Sequence, residues 1–197
     1  TALAVSAKNK KNKIDIKSSC MKLVPHRGTS IKPVRAIIIG IPNVGKSSLI
    51  NLLTQKKIAK TGDVPAVTQM QQRIIVDNDF VLTDTPGLMW HKIESEVQGN
   101  YLAASNIIGI NAYDETEAAL YLLDCLKENY SKKLIDRYEL DETIIKQPSE
   151  DIIEAIAIKK HMLIKGNSPD LKKSAIIILQ DYRSQKIGRI SLEFPEK

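Results

Sequence analysis

The chain has 197 residues, of which 43% are hydrophobic and 26% charged, and it carries a formal net charge of +6. It is long enough for a buried core. It contains no apolar run of the roughly 20 residues that span a bilayer, and its N-terminus lacks the layout of a secretory leader. Its two cysteines, Cys20 and Cys125, form no metal-ligand or disulfide pattern. We therefore expect a cytoplasmic protein with no membrane partner and no zinc.

The charge is unevenly distributed along the chain. Residues 1–97 hold 15 Lys and Arg against 7 Asp and Glu, residues 98–157 hold 5 against 12, and residues 158–197 hold 9 against 4. Basic segments of this kind either contact a polyanion or form ordinary solvated faces. Aromatic residues make up only 5% of the chain, so base stacking is not the main mode of any nucleic-acid contact.

In chain order, the first half reads as strands with two helices between them. β-Branched runs predict strands at 2–5, 36–39, 73–76 and 80–83, and residues 77–79 form a turn between the last two. Helices are expected at 14–24 and at 47–53.

The second half has a helical period. One apolar face combines Ala119, Leu122, Leu123, Leu126 and Tyr130, and another combines Leu171, Ala175, Ile178 and Tyr182. Ser149 is predicted to cap one helix and Ser168 with Pro169 to start the next. The tail, RISLEF, reads as a short strand or an extended arm. We predict a domain boundary after residue 97, with residues 1–97 in one domain and a helical domain at 98–197.

A phosphate-binding loop is predicted at residues 40–47. The string GIPNVGKS satisfies G-x-x-x-x-G-K-[ST], with a predicted strand before it and a helix after it. Backbone amides of such a loop and the helix N-terminus point at phosphate oxygens. Lys46 would neutralise the β and γ phosphates, the Ser47 hydroxyl would coordinate Mg²⁺, and Ser48 would reach the α phosphate.

The string FVLTDTPG at 80–87 supplies a second part of the same site. Asp84 ends a predicted strand, at the edge of the sheet where a carboxylate holds Mg²⁺ through water, and Gly87 can offer its amide to a γ phosphate. Between the two strings, Thr61 and Thr68 are the candidate hydroxyls for the metal, and Thr68 stands where a switch loop closes over the γ phosphate. The alternative for Thr68 is a surface threonine.

These motifs together resemble the circularly permuted GTPases of the YlqF/RbgA type, which are assembly factors of the large ribosomal subunit. The resemblance covers SAK at 6–8, GIPNVGKSSLIN at 40–51, KIAKTGD at 57–63, and DTPG at 84–87 with Trp90 after it. It implies an α/β fold, a P-loop NTPase with a permuted GTPase domain, followed by a small all-α domain. It also implies GTP and GDP as ligands, the large-subunit precursor and its rRNA as partners, and Mg²⁺ as cofactor.

The resemblance also implies the residues of the nucleotide site. The Ala7 amide would meet the guanine carbonyl, with Ser6 shaping that loop and Lys8 near the base. The expected nucleotide-binding residues are Ser6, Ala7, Lys8, Asn43, Val44, Gly45, Lys46, Ser47, Ser48 and Gly87. The expected catalytic residues are Lys46, Thr68 and Gly87, and the expected metal ligands are Ser47, Thr68 and Asp84.

A guanine-selecting Asn-Lys-x-Asp motif has two weak candidates. NKID at 12–15 follows a run of lysines rather than a strand, and NAYD at 111–114 lacks the lysine. We expect instead that the motif precedes Thr1, because the permuted order places it before SAK.

Leu88 stands where Ras-like GTPases keep a water-orienting glutamine, so slow intrinsic hydrolysis, stimulated by the ribosomal particle, is expected. His91 is a candidate base, and the alternative for it is a structural or exposed histidine. Asn43 matches potassium-coordinating asparagines of related GTPases, which implies K⁺ as a second cofactor. The basic C-terminal side chains are expected to touch rRNA; they are Lys159, Lys160, Lys165, Lys172, Lys173, Arg183, Lys186 and Arg189.

Two other functions remain open on the sequence. A phosphate-loop ATPase or small-molecule kinase would share the loop but need no RNA partner. An RNA-binding module that has lost catalysis would share the basic segments, although intact Lys46, Ser47 and Asp84 argue against that loss.

Overall fold

The computed structural model describes residues 2–56, 71–89, 92–93 and 95–194. The chain folds as two compact units, Thr1–Trp90 and His91–Lys197. We call these the sheet unit and the helical unit. The predicted domain boundary after residue 97 stays a prediction.

The sheet unit contains two helices and a three-stranded sheet within its described residues. The elements are α1 (Asn12–Leu23), β1 (Val34–Ile38), α2 (Lys46–Thr54), β2 (Gln72–Asp77) and β3 (Phe80–Asp84). Their strand order is β1-β3-β2; β1 pairs parallel with β3, and β2 pairs antiparallel with it. The predicted hairpin and both predicted helices are confirmed, α1 beginning two residues earlier than expected.

The core of the sheet unit follows from the alternation of its strands. Inward-facing Val34, Ile74, Phe80 and Leu82 are buried together with Ile50 and Leu53 of α2. Helix α1 covers this cluster with half-buried side chains, among them Ile16, Cys20 and Met21. Burial raises the pKa of the Cys20 thiol, which keeps it protonated at neutral pH.

The strand predicted at residues 2–5 is wrong. These residues are irregular, and Leu3 and Val5 are exposed. A β-branched run forms a strand only when its backbone pairs with a neighbouring strand, and β1, β2 and β3 account for every strand in the described residues.

The helical unit contains five α-helices within its described residues, with two short 3₁₀ turns at Ile110–Ala112 and Ile144–Lys146. The helices are α3 (Glu96–Ala104), α4 (Glu115–Asn129), α5 (Ser131–Tyr138), α6 (Ser149–Lys159) and α7 (Leu171–Arg183). The predicted apolar face of α4 is buried from Ala119 to Leu126, and α7 buries Ala175 and Ile178. Tyr130 lies just beyond the end of α4, while Leu171 is exposed.

Buried polar contacts connect α5 to α7 inside this unit. The Asp181 carboxylate accepts hydrogen bonds from Arg137 Nε and Nη2 at 2.9 and 2.7 Å and from the Tyr138 hydroxyl at 3.2 Å. Burial and the Asp181 charge raise the pKa of Tyr138 far above its usual value. Without Arg137, the buried Asp181 carboxylate would keep only Lys186, at 3.4 Å, as a cationic partner.

Two predicted helix caps are wrong. Ser149 is the first residue of α6 and donates its hydroxyl to Asp124 at 2.7 Å instead of accepting from the helix. Helix α7 is capped by Asp170, which accepts from the Lys173 amide at 2.9 Å, rather than by Ser168. Both serines lie near the start of a helix. The contact with Asp124 occupies the Ser149 hydroxyl, and the carboxylate of Asp170, two residues after Ser168, caps α7 instead.

The described part of the C-terminal tail, residues 189–194, is irregular and forms no strand. The Tyr130 hydroxyl accepts from the Ser191 amide at 3.0 Å, and the Tyr130 ring stacks on Phe194 at 6.4 Å. No described helix combines the length and the apolar character that crossing a membrane requires.

Candidate nucleotide site

The phosphate loop lies between β1 and α2, as the motif predicts. Two residues have left-handed backbones: Gly45 at φ 94° and Asn43 at φ 56°. Gly45 also accepts the first backbone hydrogen bond of α2, from Leu49 at 2.9 Å. Glycine adopts this conformation without a steric penalty, and the chain curls so that the N-terminus of α2 follows the loop directly.

The Lys46 ammonium group lies on the loop itself. Its Nζ donates to the Gly40 carbonyl at 3.0 Å and to the Ile41 carbonyl at 2.7 Å. These two carbonyls belong to the first residues of the loop, so the side chain spans the loop from its end to its beginning. The arrangement places a positive charge beside the curl of the backbone, where a phosphate group would bind.

The DTPG segment is docked against the phosphate loop. The Leu88 amide donates to the Gly40 carbonyl at 3.2 Å, and the Thr85 hydroxyl donates to the Ile38 carbonyl at 2.7 Å. A Cβ added to Gly87 would lie 2.8 Å from both the Cα and the backbone nitrogen of Pro42. Only glycine fits this close approach, which brings the two motifs into direct contact.

Asp84 ends β3 directly opposite Ile38 in β1. Asp84 is only 2% exposed, and it lies at the edge of the sheet where the phosphate loop begins. Ser47, on the first turn of α2, is half-buried. Hydroxyl and carboxylate oxygens are the ligands that Mg²⁺ prefers, so the donor chemistry of this edge fits that ion.

The described residues contain no group of three or more His, Cys, Asp or Glu side chains able to hold a metal ion. The oxygen donors that the two motifs predict for Mg²⁺, Ser47 and Asp84, would therefore need phosphate oxygens of a nucleotide or water to complete the coordination.

The SAK segment forms a turn just before α1. The Ser6 hydroxyl accepts from the Lys8 amide at 3.3 Å, and the Asn12 side chain accepts from the Ser6 amide at 2.7 Å. Within the described residues, the hydrogen bonds of this turn run to the start of α1 rather than to the phosphate loop. Ala7 is half-buried and Lys8 exposed.

Both weak candidates for guanine selection have structural roles. NKID forms the first turn of α1, where Asn12 donates to the Asp15 carboxylate at 3.2 Å. Asp114 of NAYD caps α4, accepting from the amides of Thr116 and Glu117 at 2.8 and 3.0 Å. Neither string follows a strand, so neither has the position that a base-reading motif needs.

Several predicted residues lie outside the described part of the chain. They are Thr61 and Thr68, the KIAKTGD string, Trp90 and His91. Of the other predicted nucleotide ligands, Asn43, Val44, Gly45 and Ser48 are exposed on the loop and on α2.

Sequence reasoning missed the roles of Pro42 and Thr85. Pro42 lies inside the motif but is one of its variable positions, and its contact with Gly87 joins residues far apart in the chain. A structural role for Thr85 could have been predicted from the sequence, because a hydroxyl beside the buried end of a strand needs a hydrogen-bond partner.

The family model and the related proteins that match this chain indicate the same family. The family model described as 50S ribosome-binding GTPase matches residues 35–162. A protein named Ribosome biogenesis GTPase A from Priestia megaterium is 39% identical over the whole chain and 70% of its own length. A protein of the same name from Bacillus licheniformis is 41% identical over 86% of the chain and 59% of its own length. The chain thus spans only part of each relative.

Solved structures agree on the fold. A GDP-bound YlqF structure matches with a TM-score of 0.62 at 22% identity, covering 92% of this chain and 67% of that one. A GNP-bound YlqF from T. maritima matches with a TM-score of 0.55 at 22% identity, covering 91% and 66%.

Proposed function

Because the chain belongs to the ribosome biogenesis GTPase A family, we propose that it binds and hydrolyses GTP during assembly of the large ribosomal subunit. The observation that carries the proposal is the docking of DTPG on the phosphate loop. Gly87 packs against Pro42, and the Leu88 amide donates to the Gly40 carbonyl. Two sequence motifs for one ligand meet at one edge of the sheet. The family match also favours GTP over the ATPase or kinase alternative.

The roles of the site residues follow from their chemistry. The amides of residues 43–48 cradle the phosphates, and Lys46 neutralises their charge. Ser47 and Asp84, with Thr68, would hold Mg²⁺, which supplies positive charge at the β and γ phosphates. The Gly87 amide faces the γ phosphate. The turn Ser6, Ala7 and Lys8 reads the base.

Leu88 gives a reason for slow hydrolysis without a partner. Its side chain is 62% exposed and has no hydrogen-bonding group, so it cannot orient a water molecule. A group from the ribosomal particle would supply that function and stimulate turnover. Asn43, which is exposed on the loop, would assist a K⁺ ion beside the phosphates.

The helical unit is the proposed contact for the particle and its rRNA. Arg183 is an exception among the basic residues predicted for this contact. It is half-buried and donates to the carbonyls of Ala103 and Ala104 at 2.7 and 2.8 Å, which neutralises the C-terminal end of α3. The proposed site of action is the cytoplasm, where ribosomes assemble.

The test is turnover of GTP and ATP with Mg²⁺, with and without purified 50S subunits, in potassium and in sodium buffers. Lys46→Ala should lower GTP turnover by about 100-fold or more, because it removes a charge that stabilises the transferring phosphate. Lys22→Ala, an exposed lysine on α1, is the matched control and should leave turnover unchanged.

Three results would count against parts of the proposal. Equal rates for GTP and ATP would contradict guanine selection, and equal rates in potassium and sodium would exclude the role of K⁺. A complete absence of GTP turnover with 50S subunits present would favour an RNA-binding module without catalysis.

A further inference from the structure

A short hairpin connects α6 to α7 and forms a distinct surface of the helical unit. We call residues 158–169 the basic hairpin. It begins at the end of α6, turns at residues 165–167 and returns to Pro169, just before the cap of α7. The proposed function does not say which part of the helical unit contacts RNA.

The basic hairpin is held in one shape by its backbone. Leu163 pairs with Pro169 across the hairpin, and the Ile164 amide donates to the Ser168 carbonyl at 2.9 Å. Left-handed residues Gly166 and Asn167, at φ 90° and 65°, make the turn. A rigid hairpin presents its side chains with little entropy left to lose on binding.

A buried methionine anchors the base of the basic hairpin. Met162 is only 2% exposed; its amide donates to the Ala157 carbonyl of α6, and its carbonyl accepts from the Asp170 amide, both at 2.8 Å. The hairpin is therefore part of the packed unit, and its tip projects from a fixed base.

The exposed side chains of the basic hairpin include lysines and apolar groups, together with His161, Asn167 and Ser168. Lys159, Lys160 and Lys165 are exposed, and no Asp or Glu occurs from residue 155 to residue 169. Ile158 and Ile164 are 53% and 54% exposed, beside Leu163 at 40%. An element that exposes both cations and apolar side chains can offer a partner both charge and apolar contact.

Several other cations of the same unit have partners inside it. Within the described residues, Arg137 and Lys186 contact Asp181, Lys133 donates to the Arg189 carbonyl at 2.6 Å, and Arg183 holds the end of α3. In the described part of the chain, the three lysines of the basic hairpin have no such internal partner, and the same holds for Lys132 and Lys146.

We propose that the basic hairpin is the RNA-contacting element of the helical unit, an inference that rests on the proposed ribosomal function. Its lysines neutralise backbone phosphates, and Ile164 packs on ribose in the wide, shallow minor groove of an RNA helix. Residues 98–157 carry 12 acidic against 5 basic side chains, so that segment attracts RNA less than the basic hairpin does.

The experiment measures binding of the whole chain to purified 50S subunits and to RNA extracted from them, as a function of salt. Lys160→Gln with Lys165→Gln should make the slope of log K against log salt shallower by about 1.5, through two lost phosphate contacts. Lys132→Gln with Lys146→Gln is the control, because these lysines are equally exposed but lie outside the hairpin.

A third variant separates apolar contact from charge. Ile164→Ser should weaken RNA binding about fivefold without changing the salt slope, since it removes apolar contact and no cation. Circular dichroism should show that all three variants are folded, because every substituted side chain is exposed.

The outcomes distinguish this inference from the proposed function. If 50S binding depends on GTP but the hairpin and control variants bind RNA alike, the inference is wrong and the proposed function stands. If the hairpin variants lose 50S binding but bind the extracted RNA normally, the hairpin contacts a ribosomal protein, which also overturns the inference. Absence of any 50S binding by the wild-type chain would contradict the proposed function itself.

Discussion

At the scale of single residues, Gly87 has the most restricted position in the site. Its Cα lies so close to Pro42 that a methyl group would overlap backbone atoms, which cannot move aside like the end of a flexible side chain. The same contact is what holds DTPG on the phosphate loop. A glycine here is therefore required by packing, in addition to any bond that its amide makes to a phosphate.

Gly87→Ala should weaken GDP binding by about tenfold or more, because relieving the overlap costs on the order of 1–3 kcal/mol and displaces one of the two loops. Calorimetric titration with Mg²⁺ and GDP measures this. Gly99→Ala is the control, since its Cβ would meet only Ile93 Cγ2 at an ordinary 3.6 Å. Equal affinity of Gly87→Ala and the wild type would show that the loops tolerate separation.

At the scale of elements, Lys17 connects α1 to the β2–β3 hairpin. Its Nζ contacts Asp77 at 2.8 Å and Asp79 at 2.7 Å, at the two ends of the turn. Burial opposes the charge of Lys17, but hydrogen bonds and attraction from both aspartates outweigh it and raise its pKa. The hydrogen bond from Lys17, against some burial, lowers the pKa of Asp77.

These shifts define the pH range in which the connection stabilises the sheet unit. The lowered pKa of Asp77 gives stability that is present above its usual value of 3.8 and is lost as the pH falls through the folded value. The raised pKa of Lys17 gives stability that is present below 10.5 and is lost at higher pH. The contribution is therefore complete between these limits.

Lys17→Met should lower the free energy of opening of β2 and β3 by about 1 kcal/mol at about pH 7, a modest value because all three side chains are partly exposed. As the pH falls below 3.8 and through the lowered pKa of Asp77, the difference should shrink, since Asp77 loses its charge. Hydrogen exchange of the β2 and β3 amides measures both. Lys22→Met, on an exposed position of α1, should change neither, and a pH-independent difference would contradict the assigned cause.

At the scale of the whole molecule, two units with separate cores divide the chain. The sheet unit contains the phosphate loop and DTPG, and the helical unit contains the basic hairpin. A ligand stabilises the cooperative unit that contains its site by an amount set by its concentration relative to its Kd. Nucleotide should therefore affect the stability of the two units differently.

GDP with Mg²⁺ at about 100 times its Kd should stabilise β1, α2 and β3 by about 2.7 kcal/mol against exchange, with α4 and α7 unchanged. Hydrogen exchange followed by mass spectrometry resolves these elements. The Lys46→Ala variant is the control, because weaker binding should remove the effect. Equal protection of both units by GDP would show that they open as one.

Where the sequence predicts well, the signal is local. The phosphate loop, α2, the β2–β3 hairpin and the apolar face of α4 all follow from adjacent residues and a short period. Where it fails, a distant partner decides. The run at 2–5 has strand composition but no pairing strand, and Ser149 serves as a donor to Asp124 on α4 instead of as a cap.

The sequence by itself determined that the phosphate-loop string lies between a strand and a helix, and it predicts which groups hold a triphosphate, because the chemistry of amides, one lysine and oxygen ligands follows from residue type and spacing. Only the tertiary structure decided that Gly87 must be glycine, that Arg183 donates to the end of α3, and that Lys159 ends α6 while Lys160 and Lys165 follow on the hairpin before α7. The physical reason is that close packing and the pairing of buried or charged groups depend on residues far apart in the chain.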